Sequence, residues 1–192
     1  MKIEYEATFS KINKNEVRQQ LQKSGAKLIK PEFIQKRVVF HLPKGHEKKE
    51  AWARVRDEGD KITLSVKQTF NGKIEDQKEI CLKVDDFKEA VDLLKYLGCR
   101  EKAFQETKRE LWKINNTEVT IDEWPFLEPF VEIESNSEEE VKMVAEKLGF
   151  DYSKAFFGAV GGLYSKKYNL SEDIINHHTP EIKFAGPNPF IS

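Results

Sequence analysis

The sequence predicts an α+β fold dominated by antiparallel β-sheet, and two observations lead to this prediction. About eight short segments alternate apolar and polar residues with the two-residue period of a half-buried strand. Three other segments combine a capping residue with apolar positions spaced by three and four residues, as in an amphipathic helix. Eight strands with three covering helices therefore indicate mostly antiparallel pairing.

Each predicted helix begins at a side chain that can cap its free backbone N–H groups and ends at a glycine. Asn13 with Glu16 and Ser137 with Glu140 have the spacing of a capping box. The predicted helices begin and end at three pairs of residues: Asn13 and Gly25, Asp85 and Gly98, Ser137 and Gly149.

The predicted strands cover residues 3–9, 34–40, 52–56, 62–67, 78–82, 107–113, 119–122 and 130–134. Asn71-Gly72 is a strong hairpin signal before the fifth strand, and Asn115-Asn116 predicts a second turn. After Gly149, glycines and prolines interrupt the pattern, although residues 171–176 favour a short helix. We therefore expect one domain over residues 1–170, with residues 171–192 as a tail docked on it.

The composition excludes several classes of protein. With 13 Phe, 3 Trp and 5 Tyr among 192 residues, the chain can build a core and is not disordered throughout. Lys and Arg total 32 against 33 Asp and Glu, which argues against a protein that coats nucleic acid. Cys81 and Cys99 are too few for a disulfide framework, and no apolar run approaches the roughly 18 residues of a membrane span. We expect a cytoplasmic protein with no nucleic-acid or membrane partner.

The polar faces of the predicted strands carry many charges of both signs. Six acids and four bases stand there, nearly all two residues apart, so alternation places each pair on one face. They are Glu4, Glu6, Arg54, Arg56, Lys67, Glu79, Arg109, Asp122, Glu132 and Glu134. One interpretation is a solvated sheet face whose cross-strand ion pairs are worth about 0.2–1 kcal/mol each.

The other interpretation is a shared interior. Arginine forks suit phosphate or carboxylate, and paired glutamates suit a hard divalent cation. If the sheet closes on itself, the two kinds of charge converge on one cavity, where they would suit a metal-bound polyphosphate.

These residues, in this order, resemble the CYTH superfamily, which comprises class IV adenylate cyclases, thiamine triphosphatases and inorganic tripolyphosphatases. The resemblance covers roughly residues 1–170, and the stretch 120–134 is especially similar to the family's metal-binding region. It implies an eight-stranded antiparallel β-barrel that closes around a triphosphate-binding tunnel, with the helices packed outside. Three residues are expected to pack in the wall of such a barrel: Trp52, Trp112 and Trp124.

The resemblance also implies roles for the ten charged residues. The expected ligands of Mg²⁺ or Mn²⁺ are Glu4, Glu6, Asp122, Glu132 and Glu134. The expected substrate-binding residues are Arg54, Arg56, Lys67, Glu79 and Arg109. The residues expected to be catalytic are Glu4, Glu6, Arg54, Arg56 and Lys67.

Two positions depart from the family's pattern. Thr8 stands where the signature Glu-x-Glu-x-Lys has its lysine, and Thr107 stands two residues before Arg109, where relatives often carry another. Lys108 is adjacent, but alternation should point it away from the tunnel. Each lost charge-assisted contact to phosphate costs about 1.5–3 kcal/mol. The smaller number of cations therefore predicts a slow enzyme, or one with a different substrate.

The leading functional hypothesis is a metal-dependent hydrolase of inorganic tripolyphosphate, thiamine triphosphate or a nucleoside triphosphate. The alternative in the same tunnel is a class IV-type adenylate cyclase, which makes cyclic AMP from ATP. A third hypothesis, motivated by Thr8 and Thr107, is a catalytically impaired module that binds a polyphosphate or an organic polyanion. The expected partner is a small triphosphate-containing molecule, and the oligomeric state is open, with a homodimer as one option.

Overall fold

A computed structural model describes residues 1–48, 50–69 and 72–191 of the chain. The described residues form ten strands, five α-helices and two 3₁₀ turns. In chain order they are β1 Lys2–Ile3, β2 Tyr5–Ser10, α1 Lys14–Lys23, β3 Lys27–His41, β4 Ala51–Asp57, β5 Ile62–Gln68, the turn Ile74–Asp76, β6 Lys78–Val84, α2 Phe87–Tyr96, β7 Arg100–Ile114, β8 Thr117–Glu123, β9 Phe130–Ser135, α3 Glu138–Lys147, the turn Tyr152–Lys154, α4 Gly161–Tyr168, α5 Glu172–His177 and β10 Glu181–Ile182.

The strands form a nearly closed antiparallel barrel. Their order is β1-β6-β5-β4-β3-β7-β8-β9-β2, and β1 and β2 are separated by Glu4 alone. The N-terminal segment therefore pairs with both ends of the sheet. The predicted fold class and antiparallel barrel are confirmed, although nine strands follow this path where eight were predicted. The backbone N–H of Glu4 donates to Gln77 O at 2.9 Å, and at this residue the expected single N-terminal strand divides into β1 and β2.

The two faces of the barrel wall have opposite character. On the outer face, Ala7 and Phe9 of β2 share a buried cluster with Leu21 of α1 and Val141 of α3. A second outer cluster packs α2 against β3 and β4. A fully buried large apolar side chain contributes about 1.5–3 kcal/mol. Because the apolar core lies largely between the wall and the helices, the interior of the barrel can carry polar and charged groups.

The helix caps largely follow the sequence prediction. Asn13 caps α1, where its Oδ1 accepts from the backbone N–H of Glu16 at 3.3 Å, and Ser137 caps α3. The predicted start of the second helix was wrong by one residue. Asp86, not Asp85, caps α2, because its Oδ1 lies 2.7 Å from the backbone N–H three residues later.

Strands β3 and β7 are much longer than the predicted segments 34–40 and 107–113. Each has 15 residues, and three register shifts interrupt their pairing. Such irregularities break the two-residue period from which a strand is recognised. Asn115-Asn116 joins β7 to β8 as predicted, with Asn115 at φ 54°, a conformation that asparagine tolerates. Asn71, half of the other predicted turn, lies outside the described residues.

The C-terminal segment packs on the barrel. Ile175 of α5, Ile182 of β10 and Phe190 form a cluster with Trp124 and Tyr164, and β10 pairs in parallel with β7. The predicted helix 171–176 is α5, which Ser171 caps. In the part of the chain that the structure describes, no helix has both the length and the apolar character needed to cross a membrane.

Candidate active site

A cavity of about 160 Å³ lies inside the barrel. This is far more than the roughly 10–15 Å³ that one water molecule needs on this measure. Nine of the ten charged residues selected from the sequence line it: Glu4, Glu6, Arg54, Arg56, Lys67, Glu79, Arg109, Glu132 and Glu134. Strand alternation thus brings residues that are distant in sequence to one site.

Lys67 joins β5 to the N-terminal segment across the cavity. Its Nζ lies 3.0 Å from Glu4 Oε2 and 3.3 Å from Glu6 Oε1. Burial opposes the charged form of Lys67, but Glu6 and Glu4 outweigh it and raise the pKa of the ammonium group above its usual value. Lys67 therefore stays protonated and neutralises part of the acidic wall.

Arg54 and Glu79 form the second interior pair. Arg54 donates from Nη2 to Glu79 Oε1 at 2.9 Å and from Nε to Ser65 Oγ at 3.0 Å. Burial acts to raise the pKa of Glu79, but the Arg54 charge outweighs it, and the pKa lies below the usual range. Glu79 is thus an ionised partner that fixes the Arg54 guanidinium.

Arg109 forms the third interior pair, and it separates Asp122 from the cavity. Its Nε and Nη2 donate to the two Asp122 oxygens at 2.7 and 2.9 Å, and Nη2 also donates to Glu132 at 2.5 Å. Thr120 Oγ1 donates to the same carboxylate at 2.6 Å, and Asp122 is fully buried. Asp122 is therefore the one selected residue that does not line the cavity. Its predicted role as a metal ligand stays a prediction, and it would require the pair with Arg109 to open.

The carboxylates of the acidic side also repel one another. Glu6 stands directly opposite Glu134 on the paired strands β2 and β9. Burial, followed by the charge of Glu6, raises the pKa values of Glu132 and Glu134. Burial also raises the pKa of Glu4, although Lys67 opposes this. A divalent cation would relieve this crowding, because carboxylate oxygens are the ligands that Mg²⁺ and Mn²⁺ prefer.

The donor atoms therefore fit a hard divalent cation, but the ligands are not assembled. Within residues 1–48, 50–69 and 72–191, no three or more His, Cys, Asp or Glu side chains are grouped so that they could hold a metal ion. Lys67 and Arg109 instead stand among these carboxylates as their ionic partners. A metal would replace these cations as the partner of the acids.

Arg37 of β3 was missed by the sequence analysis. It lines the cavity, is 4% exposed, and donates from Nη2 to Thr107 Oγ1 at 2.6 Å and to Gln35 Oε1 at 2.9 Å. Its guanidinium lies 4.7 Å from the centre of the Trp124 ring, and no carboxylate of the described residues forms an ion pair with it. Burial, followed by the charges of Arg56 and two further arginines, lowers its pKa well below the usual value.

Arg37 corrects the expectation of a cation-poor tunnel. Its guanidinium contacts the hydroxyl of Thr107, the residue that stands where a lysine was expected. With Lys102, six cations of the described residues line the cavity, rather than the four expected. The sequence contained a weak sign of this role, because Arg37 alternates with Val38 on a predicted strand. Arg37 was not selected because it has no charged residue two positions before or after it.

Arg56 is mostly buried, with 13% of its side chain exposed, and is only partly neutralised. Its Nη2 lies 2.8 Å from Glu58 Oε1, while its Nε has no hydrogen-bond partner among the described residues. Burial and the neighbouring Arg54 lower the pKa of Arg56 to about 10, despite the opposite effect of Glu58. The guanidinium therefore remains protonated and keeps an unused donor.

Thr8 does not line the cavity. It is 3% exposed, and its backbone exchanges hydrogen bonds with Phe156 at 3.0 and 2.9 Å, so the segment after α3 pairs with β2 at this residue. Lys108 points away from the cavity, as predicted, and lies 3.2 Å from Glu123.

The expectation of wall packing holds for Trp112, which is buried in the outer core. Trp124 is also buried, in the cluster with Tyr164, and it lines the cavity together with Trp52. Together with Val160 and Tyr164 they make part of its lining aromatic and apolar.

A nearly closed antiparallel barrel, with helices outside and paired charges around an interior cavity, defines a tunnel-type barrel protein. The model of the CYTH domain matches residues 2–156, and the chain belongs to this family. The resemblance noted in the sequence is thereby confirmed.

Three relatives illustrate the similarity. A protein of Methanocaldococcus jannaschii named "Putative adenylate cyclase" is 30% identical over 151 residues, which are 76% of this chain and 86% of that protein. A Pyrococcus horikoshii protein matches with a TM-score of 0.69 and 19% identity over 85% of this chain and 99% of that chain. A Hippeastrum protein, described as a "Putative adenylyl cyclase" that reveals a dominant triphosphatase activity, matches with a TM-score of 0.56 and 12% identity over 92% of this chain and 100% of that chain. The two structures share the fold.

Proposed function

We propose that the protein is a metal-dependent hydrolase of a small triphosphate-containing molecule, which binds in the tunnel. The observation that carries the proposal is the charge distribution around one cavity. Arg37, Arg54 and Arg56 stand on the neighbouring strands β3 and β4, while Glu6, Glu132 and Glu134 stand on β2 and β9. A polyphosphate needs the first group for its oxygens and the second for its metal ion.

The cations would bind the substrate and stabilise the charge that develops as the phosphoanhydride bond breaks. Arg54 and Arg109 are preorganised for this, because Glu79 and Asp122 hold their guanidinium groups in place. Preorganised donors need little rearrangement in the transition state. Such positioning and electrostatic stabilisation are the main sources of catalysis in phosphoryl transfer. Lys67 would exchange its contacts with Glu4 and Glu6 for phosphate oxygens.

The carboxylates would hold the metal. Glu4, Glu6, Glu132 and Glu134 supply oxygen ligands on the acidic side, and we propose Mg²⁺ or Mn²⁺ as the ion. When bound, the ion supplies charge neutralisation and polarises the phosphoryl oxygens. Asp122 would contribute mainly by orienting Arg109, since both of its oxygens already accept hydrogen bonds.

Adenylate cyclase is the second candidate. A relative with 30% identity carries that name, and Trp52 and Tyr164 line the cavity beside the cations, where an organic group could lie. The third candidate, a non-catalytic polyanion binder, was motivated in part by Thr107, which stands where a lysine was expected. That motivation is weaker because Arg37 contacts Thr107 and supplies a cation there.

The test is to measure phosphate release from tripolyphosphate, thiamine triphosphate and ATP, with Mg²⁺ or Mn²⁺ and with EDTA, and to assay cyclic AMP in the ATP samples. We expect metal-dependent phosphate release, lowered about 10- to 100-fold by Arg54→Ala or Glu134→Ala. Lys113→Ala is the matched control, because Lys113 is an exposed residue of β7.

Three outcomes would contradict the proposal. Cyclic AMP as the main product would favour the cyclase. Binding of tripolyphosphate without turnover would favour the binding module. Unchanged rates in both variants would exclude the tunnel as the active site.

A further inference from the structure

Lys102 enters the cavity through an irregularity of strand β7. Val39 of β3 pairs with Ala103 of β7, and the next residue of β3, Phe40, pairs with Glu101. An advance of one residue along β3 therefore corresponds to two residues along β7. Lys102 is the extra residue of this bulge. Regular alternation from Gln105 would point Lys102 away from the cavity, yet both residues line it. A β-bulge re-aims a side chain in this way.

The side chain of Lys102 is held by a neutral partner. Its Nζ donates to Asn176 Oδ1 of α5 at 3.0 Å. The charged or titratable groups near this site are His41 of β3, Arg100 of β7 and His177 of α5, which stacks on His41 at 5.0 Å. Helix α5 also carries Glu172 and Asp173, and Asp173 lies 3.9 Å from His177. No carboxylate of the described residues forms an ion pair with Lys102. Burial alone lowers its pKa to about 8.

We infer that Lys102 is a further phosphate-binding residue of the tunnel, positioned by the bulge and by Asn176, so that α5 completes the site. The inference rests on the proposed function and names a contact within the same cavity. The ligand is a phosphate oxygen of the triphosphate chain.

Three observations support a phosphate ligand. An ammonium group has three N–H donors, and one contact to Asn176 leaves two for a ligand. A partly buried cation without an ionic partner is stabilised most by an anion. Arg54 pairs with Val39, the residue at the edge of the bulge, so Lys102 extends the row of cations across β3 toward α5.

The experiment measures tripolyphosphate binding to the full chain in EDTA by calorimetry, with wild type, Lys102→Met, Lys102→Arg and the exposed control Lys113→Met. We expect Lys102→Met to weaken binding about 10- to 100-fold. Lys102→Arg should stay within a few-fold of wild type, and Lys113→Met should match it. Circular dichroism checks that each variant is folded, and Lys102→Arg serves as the charged variant if Lys102→Met does not fold.

A second readout tests the charge itself. At pH 8, wild type should take up about half a proton more on binding than Lys102→Arg, because a group with a pKa of about 8 is half protonated there. The ligand's own titration cancels in this difference. Asn176→Asp should also weaken tripolyphosphate binding, since a carboxylate beside Lys102 competes with phosphate. A merely structural Lys102 would leave binding and proton uptake unchanged.

The failure of this inference can be separated from failure of the proposed function. If Arg54→Ala abolishes tripolyphosphate binding while Lys102→Met binds normally, the tunnel stands and the role of Lys102 is excluded. If Lys102→Met weakens ATP binding but not tripolyphosphate binding, Lys102 contacts the nucleoside, and the phosphate assignment is wrong. If wild type does not bind tripolyphosphate, both proposals fail.

Discussion

Replacement of Arg37 by methionine should stabilise the ligand-free protein and weaken its binding of tripolyphosphate. The Arg37 guanidinium is buried among the neutral groups of Gln35, Thr107 and Trp124. A buried charge without an ionic partner carries a desolvation penalty of several kcal/mol. Removal of the guanidinium should leave few hydrogen-bonding groups without a partner, because Thr107 Oγ1 also donates to Gln35 Oε1 at 3.1 Å.

The magnitude follows from opposing contributions. Methionine loses two hydrogen bonds and a cation–π contact, together worth about 4–6 kcal/mol. It also removes the desolvation penalty and the repulsion from Arg54, Arg56 and Arg109. Each repulsion is worth about 2 kcal/mol for charges about 8 Å apart at an effective dielectric constant of about 20. The acids paired with these arginines, Glu79, Glu58 and Asp122, attract Arg37 and offset most of this repulsion, so the desolvation penalty decides the sign. We expect a net gain of about 1–3 kcal/mol in the free energy of unfolding.

The assay has two parts, both in EDTA at pH 7. Thermal unfolding should show a Tm higher by about 2–4 °C for each kcal/mol gained. Calorimetry should show tripolyphosphate binding weakened about 10- to 100-fold. Arg37→Lys, which keeps the charge, is the control and should not gain stability. A less stable Arg37→Met with normal affinity would refute the reasoning and make Arg37 a structural residue.

Three further predictions concern stability. Burial, followed by the charge of Glu6, raises the pKa of Glu134 to about 7. The folded state therefore holds a proton that the unfolded state releases, and the free energy of unfolding falls as the pH rises from about 5 to 7. Glu134→Gln should flatten that fall in urea titrations in EDTA, and an unchanged pH profile would contradict the raised pKa. Thr8→Lys should lower stability by about 1–3 kcal/mol without raising turnover, since Thr8 is 3% exposed and does not line the cavity. A faster variant would show that the lysine reaches the tunnel. Tyr164→Phe removes a 2.7 Å hydrogen bond to Pro125 O and should lower the free energy of unfolding, measured in urea titrations, by about 1–3 kcal/mol. A urea midpoint equal to that of wild type would show that water replaces the hydroxyl.

The charged interior was predictable where a strand alternates regularly. Glu4 with Glu6 and Arg54 with Arg56 are pairs two residues apart in short predicted strands, so period two places both members on one face. The same argument placed Glu132 with Glu134. The family pattern added Lys67 and Arg109, and all of these residues line the cavity.

The rest of the site depends on contacts that a sequence does not display. Lys102 faces the cavity only because β7 is bulged, and one extra residue reverses the expected direction of a side chain. Asp122 lies on the expected face, but the guanidinium of Arg109 lies between it and the cavity. Arg37 of β3 contacts Thr107 of the paired strand β7. These residues are about 70 positions apart in sequence, so only the fold reveals their contact.

The seam of the barrel joins the first residues of the chain to strands that are synthesised much later. Glu6 meets Glu134, and Lys2 meets Glu79, whereas β4 with β5 and β8 with β9 are neighbours in sequence. Contacts between distant residues form after local ones, because loop closure costs entropy before any pairing stabilises it. A nascent chain that lacks β9 therefore has no partner for β2. Triphosphate binding would then report the completed fold, and its onset during translation would mark the moment at which the barrel closes.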